Sequence, residues 1–256
     1  MTALPRFLRF FFLPLLLAAQ TRASDPLHWQ TERFFSLPLD GSINLENLDG
    51  SIHIYGWYQP RVRLATLRNA YTAPRLQQIR VETKSAAASL DIRTLIPPEH
   101  GVFADRSGTV DYTLNVPETA HLTLKLGSGE VTLQGLRGGR AEIALTNGRV
   151  FAINCYARVE AHAVTGAMDV FYEWWENAPA LFALTLQHGR IGARIPAVAQ
   201  FRVEAQTGSG SVGDDFHLTA QPHEAGESLQ GATKPNPPLE FHFRTGSGNI
   251  SIDSFR

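Results

Sequence analysis

The 256-residue chain carries one cysteine, Cys155, and two methionines. A single thiol excludes an intramolecular disulfide and any zinc or iron–sulfur site built from several thiolates. There is no basic excess: 23 Lys and Arg stand against 24 Asp and Glu, a net charge of −1. The electrostatic footprint of a nucleic-acid binder is therefore missing. Beyond Ala19 no apolar run is long enough for a membrane helix. The Gly-containing turns lack the Asp ligands of the calcium-binding nonapeptide repeat. No G-x-S-x-G elbow and no H-x-x-x-H pair occurs. No metal site, cofactor or catalytic residue is predicted. Charged residues make up only 18 % and hydrophobic ones 43 %, so the chain has material for a core and is not disordered by composition.

The first 23 residues read as an address. Arg6 and Arg9 form a positive region, Phe10 to Ala19 an apolar run, and Thr21-Arg22-Ala23 a small-residue cleavage signal. Cleavage is placed after Ala23, giving a periplasmic or secreted protein with no transmembrane helix in the mature chain. No Cys follows the cleavage point to accept a lipid. Residues 24–33 read as a flexible lead-in to the fold.

Six segments then align without gaps: LTLKLGSGEV (122–131), AEIALTNGRV (141–150), AHAVTGAMDV (161–170), FALTLQHGRI (182–191), VEAQTGSGSV (203–212) and FHFRTGSGNI (241–250). In this alignment Gly129, Gly148, Gly189, Gly210 and Gly248 share one column, broken at Met168. Period-two alternation before each Gly marks a strand with one buried face. The Gly supplies a sharp turn, and a short second strand follows. One such unit cannot bury its apolar face alone, but stacked units can. The predicted fold is all-β, a single-domain parallel β-solenoid or β-roll with coils of about twenty residues. A sandwich of hairpins satisfies the same alternation. Residues 222–238 are polar, Pro-rich and aperiodic, and read as an inserted surface loop. Residues 34–121 are β-rich but less regular and form the first layers of the same domain, 34–256. Gly41-Ser42-Ile43 and Gly50-Ser51-Ile52 repeat the Gly–x–Ile ending there.

The segments NLDGSIHIYGWYQPRVRLATLRNA and YTLNVP and the recurring TGSG-x-(V/I) resemble the bacterial putative-adhesin family of unknown function. The resemblance spans roughly residues 34–256. It implies a secreted or membrane-attached β-solenoid domain and no catalytic residues.

Two features carry candidate chemistry. If coils stack in the alignment above, Thr123, Glu142, His162, Ala183, Glu204 and His242 form an outward column. Glu142 would then neighbour His162, and Glu204 would neighbour His242 across the inserted loop. Glu/His pairs suit acid–base work or ligand binding, and equally a solvated face. The second feature is Phe171-Tyr172-Glu173-Trp174-Trp175-Glu176. Exposed Tyr172, Trp174 and Trp175 would stack on sugar rings or anchor a protein; buried, they would close a coil corner.

The sequence thus predicts a non-catalytic structural or binding module that meets envelope polysaccharide or an envelope protein. Two alternatives stand beside it. One is a polysaccharide-degrading enzyme using loop carboxylates such as Asp105, Asp214 and Asp215. The other is end-to-end self-association through an open coil edge after Ile252.

Overall fold

The structure is a computed structural model that describes residues 25–98, 100–101, 105–218, 220–223 and 226–256. The segment read as a signal sequence lies outside the described residues. Those residues form sixteen strands and one six-residue helix. In chain order they are β1 (Leu27–Ser36), β2 (Ser42–Trp57), β3 (Arg61–Ala70), α1 (Ala73–Gln78), β4 (Arg80–Ser85), β5 (Ser89–Leu95), β6 (Thr109–Pro117), β7 (His121–Gln134), β8 (Arg137–Ile153), β9 (Tyr156–Phe171), β10 (Ala180–Pro196), β11 (Phe201–Thr207), β12 (Val212–Asp214), β13 (Ala220–His223), β14 (Gly226–Ala232), β15 (Leu239–Ser247) and β16 (Ile250–Phe255).

The long strands β2, β7, β8, β9 and β10 lie side by side in parallel, and each is bent near its middle. The bend shows in the burial pattern. In β8, Ala141, Ile143 and Leu145 point inward, then Gly148 intervenes, and Val150 and Ala152 point inward. The buried parity switches at the glycine, so both arms face one core. The same cluster of buried residues includes Ile43, Leu45, Ile52 and Ile54 of β2.

The bend glycines form a ladder. Gly50, Gly129, Gly148, Gly166, Gly189, Gly248 and Gly210 all have φ between 124° and 142°. A Cβ on Gly129 would lie 1.7 Å from the carbonyl oxygen of Gly50. The same contact repeats up the stack: 1.8 Å for Gly148 on Gly129, 1.7 Å for Gly166 on Gly148, 1.9 Å for Gly189 on Gly166, 1.6 Å for Gly248 on Gly189 and 2.1 Å for Gly210 on Gly248. Each rung thus needs glycine twice, for its positive φ and for the close approach of the backbone beside it.

This ladder corrects the sequence alignment. Gly148 pairs with Gly166, and Val150 pairs with Met168. The glycine column is therefore unbroken, and Met168 is a fully buried core residue filling the aliphatic position. Aligning on Val170 displaced this repeat by two residues. The first half also holds a complete coil. Gly41-Ser42-Ile43 and Gly50-Ser51-Ile52 begin the two arms of β2, which runs in register with β7 through Gly50 and Gly129.

Three further expectations change. Within the expected flexible lead-in, residues 27–33 are strand, because β1 pairs antiparallel with β3 from Leu27 with Ala70 to Ser36 with Arg61. Cross-strand contacts hold it: Thr31 to Thr66 at 2.6 Å, Glu32 to Arg63 at 2.9 Å, and the Arg68 guanidinium over the Trp29 ring. The stretch 222–238 is not all loop, since β14 pairs antiparallel with β11 and with β13. Most consequentially, space does not follow sequence at the C-terminus. β15 lies between β10 and β11, and β16 between β10 and β12. The chain passes beyond β11, forms β14, and returns to slot its last coil inside the stack. The last coil in sequence is therefore not the last in the stack, as the end-to-end reading assumed: β16 is paired on both sides from Ile250 to Ile252 and with β10 alone from Asp253 to Phe255.

The stack is closed by antiparallel strands at each end: β3 on β6 and β4 on β5 at one, β14 and β13 at the other. Aromatic rings fill the core of the C-terminal half, with Tyr156, Tyr172, Phe182, Phe241, Phe201 and Phe216 in successive contact at 4.8–6.3 Å.

The ladder generates a direct test. Gly166→Ala should destabilise the fold by more than about 3 kcal/mol in chemical denaturation, combining backbone strain with overlap on Gly148. Gly135, with φ 68° and open space at its Cβ position, should cost only about 1–2 kcal/mol on the same change.

Candidate functional site

On the first arm, the outward column in true register runs Thr123, Glu142, Glu160, Ala183, His242, Glu204 and Gln230. Glu142 faces Glu160 and not His162. Their like charges are bridged by Arg140, 2.9 Å from Glu142 and 3.0 Å from Glu160, and Arg158 adds a 2.6 Å contact to Glu160. Hydrogen bonds from Arg158 and Arg140 hold the Glu160 carboxyl below the usual range. His162 stands opposite Ala144 and Thr185, two residues further along the arm. The expected Glu142/His162 pair is not formed, because the two-residue register displacement separates its members. Both residues line a shallow hollow of about 180 Å³.

Glu204 and His242 are brought together as expected, as direct neighbours on β11 and β15. His242 Nδ1 lies 3.3 Å from Glu204 and its Nε2 lies 3.6 Å from Glu240. These groups are a third to a half exposed on an open sheet face. Such surface pairs contribute about 0–1 kcal/mol and do not by themselves make a reaction site.

The aromatic segment divides. Tyr172 is fully buried, donates its hydroxyl to the Cys155 carbonyl and packs against Tyr156 and Phe182. It is a core residue, not a binding residue, because it continues the inward alternation of Met168 and Val170 one residue beyond the end of β9. Trp175 is partly buried against the core. Trp174 alone presents its ring, 47 % exposed, with the indole N–H donated to Glu176 at 2.7 Å. Glu176 also takes both arms of the Arg137 guanidinium, at 2.7 and 2.8 Å. These bonds lower its pKa to about 2. Asn154 and Glu173 exchange two further hydrogen bonds, 2.7 and 2.8 Å. The segment is thus a stapled loop carrying one outward ring.

The loop carboxylates are occupied by backbone amides and neighbouring hydroxyls. Asp214 accepts from the amides of Phe216 and Leu218, and Asp215 from the amide of Ser254. Asp105 accepts from Ser107 and Thr72. Ser247 and His188 Nδ1 are 2.8 Å apart, but no carboxylate among the described residues is bonded to that ring. Cys155 is buried, which pushes its thiol up to about 11. It is held in the inert form.

Sequence reasoning missed a feature on the outer face of the second arm. A pocket of about 400 Å³ opens around Gly192, lined by Phe151, Phe171, Asp169, Arg190, Ser251 and Asp253 among others. Its signal is one glycine in the middle of an alternating strand, Arg190-Ile-Gly-Ala-Arg194.

No family model matches the chain, and no curated protein does. Among solved structures the chain is similar to a "putative cell adhesion protein" from Clostridium sporogenes. Identity is 12 %, 89 % of this chain and 100 % of that one are covered, and the TM-score is 0.50. The two share a fold. A "putative adhesin" from Bacteroides fragilis, also 12 % identical, covers 88 % of this chain and 97 % of its own at a TM-score of 0.35. A "putative adhesin" from Parabacteroides distasonis is 8 % identical, with 89 % and 97 % covered and a TM-score of 0.24. At these identities the likeness concerns architecture and not activity. Among the described residues no helix is long and apolar enough to cross a membrane.

The Glu176 staple is pH-sensitive. A carboxyl depressed from about 4.5 in the unfolded chain to about 2 contributes fully above pH 4.5, and that contribution is lost as pH falls toward 2. In an NMR titration the Trp174 indole N–H should stay protected to near pH 3 and lose protection below it. Arg137→Met should move that loss up toward the ordinary carboxylate range. An indole signal indifferent to both changes would contradict the staple.

Proposed function

We propose that this protein is a non-catalytic, adhesin-like binding module of the cell envelope, built as a β-solenoid and delivered across the membrane by a signal sequence removed after Ala23. The observation that carries this reading is the in-register stack. Seven bend glycines hold parallel coils about 4.8 Å apart, so outward side chains repeat at fixed intervals on a stiff surface. Solenoids commonly use such extended faces for binding. The solved structure whose fold the chain shares is named for cell adhesion, which agrees with this use. The predicted partner is an envelope polysaccharide or an envelope protein. The loop carboxylates considered for glycan cleavage cap turns instead, which weakens the enzymatic alternative.

Purified protein incubated with a panel of envelope polysaccharides should bind at least one and release no sugar product by mass spectrometry. Released oligosaccharide would replace this reading with an enzymatic one. N-terminal sequencing of the exported protein should begin at Ser24. An N-terminus at Met1 in a protein retained in the cytoplasm would remove the envelope assignment.

A further inference from the structure

We propose that the pocket around Gly192 is a subsite for an uncharged pyranose ring, a reading that rests on the envelope-glycan function above and gives it a location. The argument begins with the glycine. Gly192 sits inside β10, in an outward column that runs Thr132, Phe151, Asp169, Gly192 and Ser251. Unlike the ladder glycines, it has no positive φ. The three atoms nearest to a Cβ there are side-chain ends: Asp169 Oδ1 at 2.9 Å, which would have to shift, and Arg190 Nη1 and Ser251 Oγ, each at 3.6 Å. Neither backbone conformation nor backbone contact requires glycine at this position. A strand-interior glycine forfeits stability, and one recognised use for it is the close approach of a ligand. Here its effect is to open the floor of the pocket.

The walls specify the chemistry. Phe151, Ile153 and Phe171 supply apolar surface, and Phe171 is braced by the Phe255 ring at 5.8 Å. Asp169 is paired in bidentate fashion with Arg190, at 2.8 and 3.0 Å. Asp253 lies beside Arg194 across the β10–β16 pairing, and Ser251 donates to Asp253 at 3.2 Å. Two carboxylates and two guanidiniums leave the lining uncharged overall, which disfavours an anionic or cationic ligand. Donors, acceptors and flat apolar surface around one opening suit a ring with a C–H face and a hydroxyl rim. The volume of about 400 Å³ falls within the usual range for small-ligand sites.

The test titrates the full protein with maltotetraose, cellotetraose and chitotetraose, and with tetragalacturonate as the acidic comparison, by saturation-transfer NMR and calorimetry. At least one neutral sugar should bind. Gly192→Val, which fills the floor with a residue suited to strands, should weaken that binding at least tenfold. Asp253→Asn, which adds no bulk, should also weaken it, and Trp174→Ala should not. An unchanged melting transition in both pocket variants separates loss of binding from loss of fold. Neutral-sugar binding that survives Gly192→Val overturns the pocket and leaves the envelope-glycan reading intact. Binding of tetragalacturonate alone, or of no neutral sugar up to about 10 mM, also overturns it. The polysaccharide panel then decides whether the broader reading falls with it.

Discussion

Everything in this fold depends on one steric contact, the carbonyl oxygen of each bend glycine lying where the next glycine would carry a Cβ. From Gly50 to Gly210 that contact repeats at 1.6–2.1 Å, and no other residue type fits any rung. A parallel strand whose arms bury alternate residues already resists a one-residue slip, because slipping turns its core face outward. The ladder adds a second lock at the corner. Both arms are then fixed at once, before and after the bend. The stack has one register, and every outward neighbour relation follows from it.

That register decides which polar groups meet. It sets Glu142 against Glu160 and brings in Arg140 and Arg158 to neutralise them. It sets Glu204 against His242 even though 38 residues separate them, because the last coil threads back between β10 and β11. It also makes one glycine conspicuous. Gly192 belongs to no rung, and the atoms nearest to where its Cβ would lie are side-chain ends, so its lack of a side chain shapes the surface and not the corner. Glycine thus serves two separate ends, holding the stack and opening a pocket in it.

Much of this is legible in the residues. The Gly–x–(Val or Ile) endings mark the corners, and the alternation before them marks the first arms. The column linking Glu204 and His242 is readable on those two signals alone. The third repeat is misread because Val170 resembles a closing aliphatic, whereas the closing residue is Met168, two positions after Gly166. Sequence pattern weighs the two choices equally; the steric demand at the bend does not. The threading of β15 is hidden by the polar stretch 222–238, whose length permits several returns. Tyr172 looks like part of an exposed aromatic cluster because its burial depends on Tyr156 and Phe182, distant in sequence. β1 escapes notice because most of its residues are exposed and it is held by polar and cation–π cross-strand pairs, not by an apolar face.

The glycine-set register is tested most directly by engineered cysteine pairs on the first-arm face. Directly opposed residues of parallel neighbours have Cα atoms about 4.8 Å apart, within disulfide reach, and a two-residue offset puts them beyond it. Under mild oxidation Glu142→Cys combined with Glu160→Cys should form an intramolecular disulfide. Glu142→Cys combined with His162→Cys should not, and the buried native Cys155 should take no part. Efficient bridging of the second pair with none in the first would contradict the ladder register and the account built on it.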